Sequence, residues 1–359
     1  MWGGRILGKG TYGCIYQPIL KCRKKRGKDM GNENNTSLVG KITSKHDAQN
    51  ELAVAKILHN IPDSSNYTII SELDYCTPRA KSRQDDKDID KCDYLETNKL
   101  QDSIQLRMPW GGYPLSRVNL DPYVFDYFRF CEEILACGAF LVTNNLCHFD
   151  IWGQNFLFDK QNKPKLIDFG FTFQPDTITI DDLKARWRVY AFDHDTETPE
   201  VTLMLGTHAN APLHELIRGM EKEKPAVQRL ASLCEVNPIH WSRELYEWTK
   251  NSRSFQQHDW LSCWKVYWPG FDAWSIGAVL LQVLEIQMAI PGFSTSNKWL
   301  AMSSKIKQVL IGLTRANPID RLDAAEALDL LTDGSHPLIS SGSAGSEWVS
   351  EKKNQRPRL

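Results

Sequence analysis

The chain has 359 residues, 42% of them apolar, which is enough for one large domain or two lobes with real cores. A formal charge of −1 with 24% charged residues sets up no global field. Nucleic acid and membrane surfaces are therefore not expected as partners.

In chain order, Met1 is followed by "WGGRILGKG", without the basic and apolar regions of a secretory signal. Residues 3–19 predict two strands around a glycine turn, "GRIL" and then "CIYQPIL". The basic stretch 21–37 predicts a long solvated loop, and "LVGKI" (38–42) a short strand. "DAQNELAVAKIL" (47–58) carries apolar residues at helical spacing, with Asp47 as its expected N-cap. "YTIISELDYC" and "SIQLRMPW" predict strands separated by a charged insertion expected to be exposed. From Asp121 the pattern turns helical, with Pro122 at an expected first helical position. "NFLFDKQNKPKLIDF" predicts two short strands around a turn, and helices follow to about residue 335. The most apolar run, 273–290, carries Gln282, Glu285 and Gln287 and predicts a buried helix over a membrane span. Residues 336–359 are Ser/Gly-rich with basic charges and predict a disordered tail. The nine scattered cysteines, with no CxxC pair, predict reduced thiols in a cytoplasmic setting. Together these elements describe an α+β chain. A small strand-rich lobe spans 1–106 and a larger, mostly helical lobe 107–335, with a cleft as the default ligand site.

Four motifs carry chemistry. Gly8, Gly10 and Gly13 form G-x-G-x-x-G, a spacing that dinucleotide-binding turns share. Here a strand-like run follows instead of a helix, so the loop predicts a hairpin whose backbone amides approach phosphates. Lys41 lies in a strand and Glu51 in the next helix, a pairing that brings a held ammonium to phosphates. "HFDIWGQN" (148–155) spaces Asp150 and Asn155 as a proton acceptor and an amide-oxygen metal ligand. "LIDFGF" adds Asp168, a hard carboxylate suited to Mg²⁺.

In this order the motifs resemble the eukaryotic protein kinase family over about residues 5–335. "TPE" (198–200) resembles the end of that family's activation segment, and "FDAWSIG" (271–277) the start of its central helix. The resemblance implies a bilobal kinase-like fold with a small antiparallel sheet and one main helix in the N-lobe. It implies ATP and Mg²⁺ as cofactors and a protein substrate. Leu7, Gly8, Gly10, Gly13, Ile15 and Lys41 would line the nucleotide, with Leu106 as gatekeeper and Arg107 to Pro109, Met108 among them, as hinge. Asp150, Lys41 and Glu51 would be catalytic, and Asn155 and Asp168 would hold metal. It further implies that Arg321 pairs with Glu200 and that Asp272 braces the 148–155 loop. The opening, "GKGTYGCIYQPILKC", looks most like kinases of large nucleocytoplasmic DNA viruses, which implies host cytoplasm or virion.

The sequence departs from that pattern in named places. Phe149 replaces the arginine that pairs with a phosphorylated activation segment, so switching by loop phosphorylation is not expected. Trp152 stands where serine/threonine kinases have a lysine, and Gln154 where tyrosine kinases have an arginine. Pro109 has no N–H for adenine. Residues 208–265 predict inserted helices. A nucleotide-binding pseudokinase is therefore the alternative, and a small-molecule kinase is disfavoured by Glu200, Asp272 and Arg321.

Overall fold

The computed structural model describes residues 5–10, 13–23, 37–84 and 88–355. Most of the basic stretch after Arg23 lies outside these residues, as do Thr11 and Tyr12 of the glycine turn. The chain divides into two compact units, Met1–Gly112 with Lys165–Phe171, and Tyr113–Pro164 with Thr172–Leu359. The expected boundary at 106/107 thus moves to 112/113, and the segment carrying Asp168 returns to the first unit. Two backbone bonds hold it there: Ile69 N–H donates to Leu166 O (2.8 Å) and Leu166 N–H to Tyr67 O (2.9 Å).

The first unit contains β1 (Arg5–Gly10), β2 (Gly13–Gln17), β3 (Leu38–Thr43), α1 (Lys45–His59), β4 (Tyr75–Cys76), a single turn α2 (Tyr94–Thr97) and β5 (Ile104–Pro109). Its antiparallel sheet runs β1-β2-β3-β5-β4, and Lys41 pairs with Ile15 on one side and Leu106 on the other. The predicted strand over 67–76 shrinks to its last two residues. In α1, Glu51, Val54, Ala55 and Leu58 form one buried stripe at i, i+3, i+4, i+7. Ser44, not Asp47, caps this helix, its hydroxyl oxygen accepting from Asp47 N–H at 3.0 Å.

One expectation for this unit holds only in part and another fails. The charged insertion buries Ile89, Cys92, Tyr94 and Leu100 against Cys14, Tyr16, Leu20 and Ile42 of the core. Its apolar residues follow neither helical nor strand spacing, so periodicity could not announce them. The reduced-thiol reading fails, because Cys14 is bonded to Cys92 and Cys22 to Cys76. Both crosslinks fasten the insertion and its flanks to the β2 side of the core. The crosslinks remove reduced thiols as one ground for the expected cytoplasmic setting.

The second unit begins with β6 (Tyr113–Pro114), α3 (Tyr127–Thr143) and β7 (Phe156–Phe158), and the chain leaves it within β8 (Pro164–Leu166). Pro122 does not start α3; Asp126 does, its carboxylate accepting from Phe128 and Arg129 N–H. A short α4 (Ile180–Ala185) precedes α5 (Pro199–His208), where Thr198 is N-cap and Pro199 sits in the first turn. The predicted inserted helices are α6 (Leu213–Glu223), α7 (Pro225–Cys234), α8 (Pro238–Asn251), α9 (Arg253–Gln256) and α10 (Trp260–Tyr267). The apolar run forms α11 (Pro269–Ala289), buried along almost its whole length. No helix among the described residues is long and apolar enough to cross a membrane.

After α12 (Asn297–Leu313) and α13 (Ala324–Thr332), the predicted disordered tail instead forms α14 (Ala344–Gln355). Val349 is buried there and Trp348 Nε1–H donates to Asp323 Oδ2 at 2.7 Å. One tryptophan and one valine anchor a segment whose average composition reads as solvated.

Candidate functional site

In the first unit, Lys41 joins Glu51 of the next helix to Asp168, 127 residues further along the chain from Lys41. Its ammonium donates to Glu51 Oε2 at 2.6 Å and to Asp168 Oδ1 at 2.8 Å. Glu51 stands on the otherwise apolar stripe of α1, where an unpaired carboxylate would be costly. Burial opposes the charge on Lys41, but Glu51 and Asp168 together outweigh it and raise its pKa above the ordinary lysine value. Asp168 adopts φ +65°, a left-handed conformation that Asp tolerates better than most residues. Phe169 is buried beside it, while the Asp168 side chain remains 45% exposed.

The glycines of the hairpin divide into two kinds. A Cβ at Gly13 would lie 2.1 Å from Ile42 O, so the sheet itself demands glycine there. At Gly8 and Gly10 a Cβ would meet nothing closer than 3.9 Å, and neither residue has positive φ. Neither crowding nor backbone conformation among the described residues demands glycine at those two positions. Leu7 and Ile15 flank them in β1 and β2, and both are partly buried. Leu106 is fully buried and Met108 nearly so on β5. Arg107 O already accepts from Glu72 N–H, and Trp110 N–H donates to Ser37 O (2.8 Å). With Pro109 lacking an N–H, this stretch offers few backbone donors.

In the second unit, the 148–155 loop is held from below. The buried Asp272 carboxylate accepts from His148 N–H (2.6 Å) and Phe149 N–H (2.8 Å), the brace expected from the sequence. Burial pushes the Asp272 pKa up against those bonds. Phe149 has φ +66°, an uncommon conformation for a bulky residue, which two charge-assisted bonds hold in place. Asn155 Nδ2 donates to Asp150 O (2.8 Å) and Oδ2 (3.1 Å). The amide nitrogen is thereby committed to Asp150, and the oxygen is the side a hard cation can meet. Trp152 is 41% exposed and contributes no charge.

A cavity of about 10 Å³, the size of one water, opens beside Asp150. Arg188, His194, Glu197, Thr198 and Ser275 are among its walls. Burial, and then the charge of Arg188, hold the His194 pKa below its ordinary value. Arg188 Nε–H donates to Glu197 Oε2 at 2.6 Å, and its guanidinium lies 5.8 Å from the centre of the Phe149 ring. Behind this wall, Arg321 makes a bidentate pair with Glu200 (2.6 and 2.9 Å), both side chains fully buried.

The structure thus brings Lys41, Glu51 and Asp168 together in one unit, and Asp150 with Asn155 in the other. Sequence reasoning missed Arg188 and His194, which belong to no motif. It also missed Lys224, which sits in the charged run "EKEKP" and reads as surface although it is fully buried. No family model matches the chain, and no curated protein matches it.

Proposed function

We propose that the chain is an Mg-ATP-dependent protein kinase that transfers the γ-phosphate to serine or threonine hydroxyls. The observation that carries this reading is the Lys41 ammonium held between Glu51 and Asp168. Two motifs recognised separately in the sequence, the Lys41–Glu51 pairing and the one carrying Asp168, meet at that one ion-pair cluster. The donor set suits the cofactor: a hairpin with two glycines the fold does not need, an ammonium, and hard oxygens on Asn155 and Asp168. Mg-ATP supplies, when bound, an electrophilic phosphoryl group and a cation that offsets its developing charge.

The chain's own residues then have distinct tasks. Gly8 and Gly10 admit backbone amides close to phosphate oxygens. Lys41 presents a positive charge whose direction Glu51 fixes. Asp150 accepts and orients the substrate hydroxyl's proton, and Asn155 keeps Asp150 aligned while offering its amide oxygen to metal. Asp272 keeps the backbone at 148–149 in its strained form. Catalysis comes from positioning and charge compensation. The narrower likeness to kinases of large DNA viruses belongs to the same proposal.

The test is label transfer from radiolabelled Mg-ATP to a mixed protein substrate by wild type and by Asp150→Ala. Transfer by wild type alone, onto serine or threonine, supports the reading; label on a small molecule only would point to a small-molecule kinase. One observation favours a second reading, a nucleotide-binding pseudokinase: the exposed Trp152 leaves the 148–155 loop without a lysine or arginine. Nucleotide-dependent thermal stabilisation without any transfer would establish that alternative.

A further inference from the structure

We propose that Lys224, contributed by the inserted helices, is a positioning residue that holds the 194–198 wall beside Asp150, so that activity requires no phosphate on the segment 172–198. This rests on the kinase reading above and adds to it a means of regulation, or rather of its absence.

The wall belongs to no helix or strand, so its backbone polar groups need other partners. Three successive carbonyls find them in side chains. Lys224 Nζ donates to His194 O (2.8 Å), Trp274 Nε1 to Asp195 O (3.0 Å) and Ser275 Oγ to Thr196 O (2.7 Å). Lys224 sits between α6 and α7 with no exposed surface, its ammonium 5.7 Å from the Trp274 ring centre. Asp195, Glu197 and Glu200 surround it, with Arg188 the opposing cation. A second inserted cation, Arg229 of α7, donates to Asp195 Oδ2 (2.5 Å) and to Glu285 (2.8 Å).

The remaining contacts close the arrangement on the side of the 148–155 loop. Arg188 reaches Glu197 Oε2 while Thr202 Oγ1 donates to Glu197 Oε1 at 2.8 Å. Arg188 also covers the Phe149 ring. Position 149 carries a phenyl ring and no cation with which a phosphorylated segment could pair. Of the segment's two arginines, Arg188 is matched to the buried Glu197 of the same segment, and Arg186 donates to the Asp182 and Thr172 carbonyls (2.7 and 2.8 Å). An ordering force that a phosphate would add is supplied by built-in charges and by the insertion.

The experiment uses the full chain, treated or untreated with phosphatase, and two readouts. Phosphatase treatment is expected to leave wild-type transfer within about twofold and amide exchange at 194–198 slow. Lys224→Met should speed exchange at 194–198 about tenfold and raise KM for protein substrate about tenfold, with KM for ATP within twofold. Ser275→Ala, which removes one clamp and leaves the others, should shift both readouts the same way by less, and it carries the test if Lys224→Met fails to fold. Loss of activity on phosphatase treatment, or unchanged exchange in the folded variants, overturns the proposal. Should wild type transfer no phosphate at all, the kinase reading fails, and the exchange readout still decides whether Lys224 holds the wall.

Discussion

Lys41 and Lys224 are both taken out of water, and their surroundings push them in opposite directions. Lys41 touches two carboxylates directly, and its pKa rises above the ordinary value despite burial. Lys224 donates to a neutral carbonyl and feels Glu197, Asp195 and Glu200 without a hydrogen bond to any of them. Burial dominates there and brings its pKa down to about 8. Contact, and not the mere presence of acidic neighbours, decides whether a buried ammonium is strongly charged. The contrast matches the proposed roles, since one lysine must offer charge to phosphate and the other only grips backbone.

The largest effect should come from removing the first lysine. Lys41→Met is expected to lower phosphoryl transfer by about 10²–10³-fold in single-turnover assays, while the second unit stays folded. A variant with wild-type rate would break the assignment. Next comes the position where a lysine is missing. Trp152→Lys is expected to raise the single-turnover rate about tenfold, because it restores a cation beside Asp150. No gain would mean that charge is not what the loop lacks.

The comparison also has opposite signatures in pH. Lys224 has a folded pKa of about 8, below the ordinary 10.5, so between these values the unfolded chain binds the extra proton. Its contribution to stability therefore rises with pH across that window, at most by about 1.4 kcal/mol per unit. Lys41, with a raised folded pKa, contributes fully below the ordinary lysine value and loses its contribution only above it. Urea unfolding at pH 8 and pH 10 should show a gain for wild type that Lys224→Met lacks. The smallest effect is expected at an exposed lysine. Lys9 and Asp93 pair at 3.1 Å with both side chains more than half exposed, and Asp93→Asn should change stability by about 0.5 kcal/mol or less. A larger change would mean that contact alone, without burial, sets the strength of these pairs.

Much of this arrangement is legible in the sequence. The Lys41–Glu51 contact is expected from a strand lysine and a glutamate in the next helix, and the Asp272 brace and the Glu200–Arg321 pair are implied by the kinase resemblance. Such contacts need particular side chains, and particular side chains leave a readable pattern. The buried insertion was not legible, because Ile89, Cys92, Tyr94 and Leu100 pack without any period and lie among charges. The tail helix was hidden by its Ser/Gly-rich surroundings, although Trp348 and Val349 anchor it. Helix starts were misjudged by a few residues where a better cap lay nearby, Ser44 before Asp47 and Asp126 after Pro122. Lys224 was missed for the opposite reason: three charged neighbours made it resemble a solvated surface residue.

The crosslinks of the first unit are nested, Cys22–Cys76 lying inside the loop closed by Cys14–Cys92. A protease that cuts between residues 22 and 76 severs the backbone but leaves both fragments covalently joined. On a non-reducing gel such a nicked chain would run as one species, and reductant alone would separate the hairpin strand β2 from the strand that carries Leu106.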